Sequence, residues 1–243
     1  MYINDMHVLR YFFIGLIGLF VGQFLDWANI RLEKHQKVIC KEFFNEYLPH
    51  LKINSKLIYP MAIIYVALLY KFGWTLQFLE YLILSPMFLS VLVIDYRKQI
   101  IPNRLSLTIF EVGLVFAFIS GLTSINVFID KLLGMIAGGG IFLLITLIGG
   151  LIAGKEAMGF GDVKLMAGLG IVFGLVNTIM LSVLSFLLGS IISIILLIAR
   201  KKRGNEYIPF GPFIILATFA IIFVPYDLMI FILLKIFTLG MYK

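Results

Sequence analysis

The feature that most constrains this chain is a succession of long apolar runs separated by short polar ones. The runs cover residues 8–27, 57–72, 75–94, 104–121, 129–153, 164–177, 179–199 and 211–239. A bilayer core takes about 20 apolar residues per helix. The pattern therefore predicts an all-α, polytopic membrane protein with about eight transmembrane helices. Composition agrees, with 61% hydrophobic and 14% charged residues; soluble domains carry about 45–50% and 25%. A water-soluble globule of this size has no interior large enough for that much apolar surface. The second run is short, and the sixth is short and rich in glycine (Gly168, Gly170, Gly174). The last is long and carries Pro225 near its middle, where a bend or break is expected. The first run is too long for the apolar part of a cleaved signal peptide, and no small-residue cleavage site follows it. It is expected to be the first transmembrane helix.

Charge gives an independent test of the count. Lys and Arg concentrate in cytoplasmic loops. With the N-terminus outside and eight spans, the inside segments 28–56, 95–104, 154–164 and 200–210 hold 15 of the 20 Lys and Arg. The opposite orientation inverts that ratio. The net charge of +7 follows from this asymmetry and needs no nucleic-acid partner. Segment 28–56 is basic with interleaved aromatics, and is expected to be a cytosolic loop or an interfacial helix against anionic lipid. No internal repeat or low-complexity tract divides the chain, so residues 1–243 read as a single membrane domain. The lone cysteine, Cys40, rules out an internal disulfide and any zinc site built from several thiolates.

Acidic residues near or inside a bilayer are costly and often functional. The aspartates are Asp5, Asp26, Asp95, Asp130, Asp162 and Asp227. Asp5, Asp26, Asp130 and Asp227 are expected to serve as interface anchors or hydrogen-bonding residues. Asp95 and Asp162 differ, because each lies at the inner end of a span beside unusual backbone. Asp95 opens DYRKQIIPNRLS, where Pro102 disfavours helix at Ile101 and Pro-Asn favours a turn. Asp162 follows Gly159 and Gly161, which permit a positive φ or the close approach of another segment. A helix N-terminus at Asp162 favours a carboxylate there. Two carboxylates a few ångströms apart cannot both ionise easily. Such a pair suits aspartic proteolysis, in which one carboxylate takes a proton from water and the other hydrogen-bonds the scissile carbonyl. Taken alone, an aspartate at a helix end is most often a cap. The pair also fits a proton- or cation-coupled transporter, which calls for acids at mid-membrane among broken helices.

The motifs taken together go further. DYRKQIIPN followed by GFGDVKL resembles the type IV prepilin peptidases, the leader peptidases among the GxGD membrane aspartyl proteases. GLFVGQFLDWANIRL resembles that family's first helix and its exit, and IPFGPFI at 208–214 its segment before the last helix. The resemblance implies a multi-pass protein of the cytoplasmic membrane with its active site facing the cytosol. It implies Asp95 and Asp162 as the catalytic pair, Gly159 and Gly161 as the motif glycines, and Pro102 and Asn103 as shapers of the loop. Lys164 matches a lysine common after the second aspartate, with a role in positioning substrate or a simple place at the interface. The implied substrates are prepilins or pseudopilins, cut where a short basic leader meets a hydrophobic helix. The sequence departs from the pattern in one place: many members bind zinc through paired CxxC motifs in the first cytosolic loop, and this chain has one cysteine. No zinc is expected there, and none is needed for proteolysis. S-adenosylmethionine is the expected methyl donor if the family's N-methylation is retained. Pro209, Phe210, Gly211 and Pro212 are expected to form a rigid entry into the last span, without chemistry of their own.

Overall fold

A computed structural model describes residues 2–3, 6–34, 36–38, 56–153, 158–199 and 208–238. Among these the fold is helical apart from a two-residue antiparallel ladder, β1 (Tyr2–Ile3) with β2 (Met6–His7). The helices are α1 (Val8–Glu33), α2 (Ile58–Phe72), α3 (Leu76–Lys98), α4 (Asn103–Thr123), α5 (Ile125–Ala153), α6 (Phe160–Phe173), α7 (Leu175–Ile198), α8 (Gly211–Phe223) and α9 (Tyr226–Phe237). Of the expected basic segment 28–56, residues 28–33 complete α1, and residues 39–55 lie outside the described residues.

Among the described residues α1, α3, α4, α5 and α7 are long and apolar enough to cross a membrane. Helices α2 and α8 are apolar but shorter, at 15 and 13 residues. The 14 residues of α6 reach about 21 Å at 1.5 Å per residue. Large apolar side chains face outward along several helices, including Phe20 at 75% and Leu151 at 86% exposure. An apolar outer surface of this extent needs lipid around it. The chain is a multi-pass membrane protein.

Two helix boundaries differ from the runs read in the sequence, and each has a local cause. The sixth and seventh runs divide at Gly174, not near residue 178. Gly174 has φ +78°, and a Cβ there would collide with the Asp130 carboxylate. That carboxylate accepts a hydrogen bond from the Leu175 N–H at 3.3 Å, so Asp130 caps α7. The last run divides where bending was expected: Val224 is extended and Pro225 caps α9.

Glycine pairs four residues apart set the tightest helix contacts. On α1, a Cβ at Gly18 would lie 2.6 Å from Ala62 Cα, and one at Gly22 2.6 Å from the Leu57 carbonyl oxygen of the turn before α2. On α5, Cβ atoms at Gly134 and Gly138 would collide with the backbone of Gly170 and Met166 on α6. In lipid, where burying apolar surface gives little drive, such close backbone approach is what holds helices together. It seats α6 between α4 and α5, with Leu165, Met166, Leu169 and Ile171 fully buried. Gly134→Ala is therefore expected to lower stability by about 1–3 kcal/mol through overpacking. Gly140→Ala on the same helix meets nothing within 4 Å and is expected to be neutral or stabilising. Thermal unfolding of the two variants in detergent checks the contrast.

Candidate active site

One end of the bundle collects the C-terminus of α3 and the N-termini of α4, α6 and α8. Helix α3 stops because Gln99 adopts the left-handed conformation, at φ 57°, while its N–H donates to the Asp95 carbonyl at 2.8 Å. The chain reaches α4 through Ile101 and Pro102, both buried, and Pro102 caps the helix with extended backbone. Its carbonyl accepts from Leu105 N–H at 2.9 Å and Ser106 N–H at 3.3 Å. This tight return brings Ile101 against the turn that starts α6.

Gly161 makes a close approach at that meeting. A Cβ there would sit 3.1 Å from Ile101 Cβ. Of the two reasons the sequence gives for the motif glycines, close approach holds here and positive φ does not. Gly159 is the N-cap of α6 in extended conformation, at φ −72° and ψ 142°. Among the described residues positive φ occurs at Gly73, Gly174 and Gln99. Asp162 stands on the first turn of α6, with its N–H bonded to the Gly159 carbonyl at 3.1 Å.

The structure brings Asp95 and Asp162 to the same end of the bundle. Asp95 is 4% and Asp162 3% exposed. Asp95 Oδ2 accepts a hydrogen bond from the Gly211 N–H at 2.9 Å. That donor, supplied by the first residue of α8, is a contact the sequence reading left without a role. Neither acid lies at mid-helix: Asp95 is on the last turn of α3 and Asp162 on the first turn of α6.

Lys164 and Asn103 are brought together as well, but away from the acids. Two residues along a helix is roughly 200° of rotation, so Lys164 leaves α6 on the side opposite Asp162. Its Nζ donates to Asn103 Oδ1 at 2.9 Å, tying α6 to the first turn of α4. The two residues open onto a cavity of 440 Å³ shared with Ser106, Leu107, Phe110 and Ala167. Among the other aspartates, Asp130 caps α7, Asp227 lies exposed in the first turn of α9, and Asp26 is half-buried on α1. Among the described residues no three His, Cys, Asp or Glu side chains gather as a metal site, and Cys40 lies outside those residues.

Residues 82–194, which include both aspartates, match the model of the type IV leader peptidase family. The chain carries a type IV leader peptidase domain. Relatives named prepilin leader peptidase/N-methyltransferase extend the match. The Aeromonas hydrophila protein is 32% identical over 145 residues, covering 60% of this chain and 48% of the relative. The Aeromonas salmonicida protein is 31% identical over 162 residues, or 67% and 54%. The Pseudomonas aeruginosa protein is 32% identical over 196 residues, or 79% and 64%. The chain thus spans about half to two thirds of the length of these relatives. No solved structure matches. The leader peptidase domain runs from α3 through most of α7. The likenesses seen in α1 and in IPFGPFI lie outside residues 82–194.

Proposed function

We propose that this protein is a membrane aspartyl endopeptidase that removes the leader peptide of type IV prepilins or pseudopilins, with Asp95 and Asp162 as its catalytic pair. The observation that carries this reading is the placing of two buried carboxylates at one end of the bundle, one from the last turn of α3 and one from the first turn of α6. Two carboxylates that act on one substrate bond favour a state in which the pair shares a proton. One carboxylate then draws a proton from the attacking water, and the other, protonated, hydrogen-bonds the carbonyl of the leader's last residue. As the tetrahedral intermediate collapses, the shared proton passes to the leaving amine. The titration belongs to the pair and not to either residue.

The cytosolic face of the cytoplasmic membrane is the proposed site of cleavage. Arg97, Lys98, Arg104 and Lys164 crowd the end of the bundle that holds the aspartates, as the positive-inside rule asks of a cytosolic face. The N-terminus is then outside, and the eight crossings follow if α8 and α9 together make the last. A prepilin lying in the bilayer as a helix presents its leader junction at that depth.

Methylation of the new N-terminus is proposed as a second activity, because the relatives' name joins the two. S-adenosylmethionine would supply the methyl group. Zinc does not belong to this proposal, since a tetrathiolate site cannot be built from one cysteine.

Incubation of the purified protein in detergent with a prepilin, read by mass, tests both activities. Loss of the leader mass is the expected result, followed by a shift of about 14 Da for one methyl group when S-adenosylmethionine is present. An intact prepilin after prolonged incubation rules out the peptidase reading. Cleavage without the 14 Da shift rules out the methylation alone.

A further inference from the structure

Among the described residues, the Gly211 N–H is the backbone donor that reaches Asp95 from another helix. Three features make this contact specific. The first is space: a Cβ on Gly211 would lie 2.6 Å from Asp95 Oδ2 and 3.0 Å from its Cγ. Only a residue without a side chain lets the carboxylate come this close to the start of α8. The second is direction. Gly211 is the first residue of α8, so its N–H has no partner within the helix and is free to point outward. Bonding to Gly211 ties Oδ2 to the start of α8, and Oδ1 is the carboxylate oxygen that this bond leaves to other work.

The third is support from behind. Phe210, the residue that caps α8, is held in an aromatic cluster. Its ring centroid lies 5.1 Å from that of Phe186 on α7, 6.0 Å from Phe142 on α5 and 6.0 Å from Phe213. Gly189 on α7 also faces the Phe210 ring closely, at 2.9 Å for an added Cβ. Two helices that carry neither aspartate therefore fix the place of the Gly211 N–H. Pro212 follows in the first turn of α8, where its fixed φ favours the helix and its lack of an N–H costs nothing.

We propose that the Phe210–Gly211 turn is a positioning device for Asp95: the Gly211 N–H anchors Oδ2, the aromatic cluster fixes the anchor, and Oδ1 is left as the reacting oxygen. This inference rests on Asp95 being a member of the catalytic pair. Gly211 and Phe210 touch neither water nor substrate in this scheme and act through Asp95 alone. They lie outside residues 82–194, so the domain's reacting group is held by a part of the chain beyond the matched segment.

Steady-state cleavage of a prepilin by Gly211→Ala tests it. An anchor that misplaces a reacting group by about an ångström costs on the order of 10²-fold in rate. The expected result is a fall of that order in kcat with KM within about twofold, in protein whose thermal unfolding matches the parent. Phe210→Leu keeps the N–H but loosens its support, and is expected to lower kcat about tenfold, again with KM unchanged. Wild-type kcat in folded Gly211→Ala overturns the proposal, as does a loss that appears mainly in KM. If Gly211→Ala does not fold, Phe210→Leu decides: a kcat loss at constant KM upholds the anchor and a wild-type kcat rejects it. Asp95→Asn measured beside them separates this idea from the one it rests on. An active Asp95→Asn removes the catalytic pair, whereas an inactive one with normal Gly211→Ala removes the anchor only.

Discussion

Asp95→Asn and Asp162→Asn are each expected to abolish leader cleavage while leaving the protein folded. Asparagine has nearly the shape of aspartate and keeps a carbonyl oxygen that can accept a hydrogen bond. In Asp95→Asn that oxygen can still take the Gly211 N–H. What asparagine cannot do is accept a proton from water or carry one to the scissile carbonyl. General acid–base catalysis by a single group contributes about 10²–10⁴-fold, and residues that work as a unit are lost together. A fall of about 10³-fold or more in cleavage rate is therefore expected from either variant. If the aspartates were only helix caps, the result would be the reverse: rate kept and stability lowered by about 1 kcal/mol. Cleavage rate and unfolding temperature on the same preparations separate the two outcomes. A near-wild-type rate in either variant ends the assignment of the pair.

The helices, and the placing of Asp95 and Asp162 at helix ends, were largely legible in the sequence, because both leave strong one-dimensional signals. Runs of apolar residues mark buried or lipid-facing helices, and the described helices fall along the eight runs read from them. The division at Gly174 escaped because its cause is remote. Nothing near Gly174 in sequence shows that Asp130, 44 residues earlier, needs the space a Cβ would take. Gly161 illustrates a different limit. Its glycine was readable as a requirement, but two reasons fitted equally until Ile101 was seen against it. The place of Lys164 was hidden by rotation, since a residue two positions from Asp162 on a helix points away from it. Gly211 was the hardest to read, because a backbone N–H leaves no mark on composition or charge. The only sign was Gly-Pro at a helix start, a combination that explains itself as local structure.

At the far end of α3 from Asp95, a buried ion pair escaped the sequence reading altogether. Lys131 Nζ lies 3.1 Å from Glu80 Oε1 and 3.5 Å from Oε2. Glu80 is 3% and Lys131 9% exposed. The bond ties α3 to α5, and α5 is the helix whose glycines seat α6. Lys131→Met is expected to destabilise the protein by about 3–5 kcal/mol, because it strands the Glu80 carboxylate away from water with no partner. Glu80→Leu, which strands the ammonium, is expected to cost a similar amount. The double variant Glu80→Leu/Lys131→Met should recover most or all of the loss, since two apolar side chains no longer pay for desolvating charge. Thermal unfolding of the four proteins in detergent gives the coupling directly. Cleavage assays on the single variants should show less active protein with an unchanged KM in the folded fraction, because the pair lies at the end of the bundle opposite the aspartates. Single variants as stable as the parent would mean that water reaches both charges, and the pair would then hold nothing. A double variant as unstable as the singles would mean that the geometry of the bond, and not the balance of charge, is what α3 requires there.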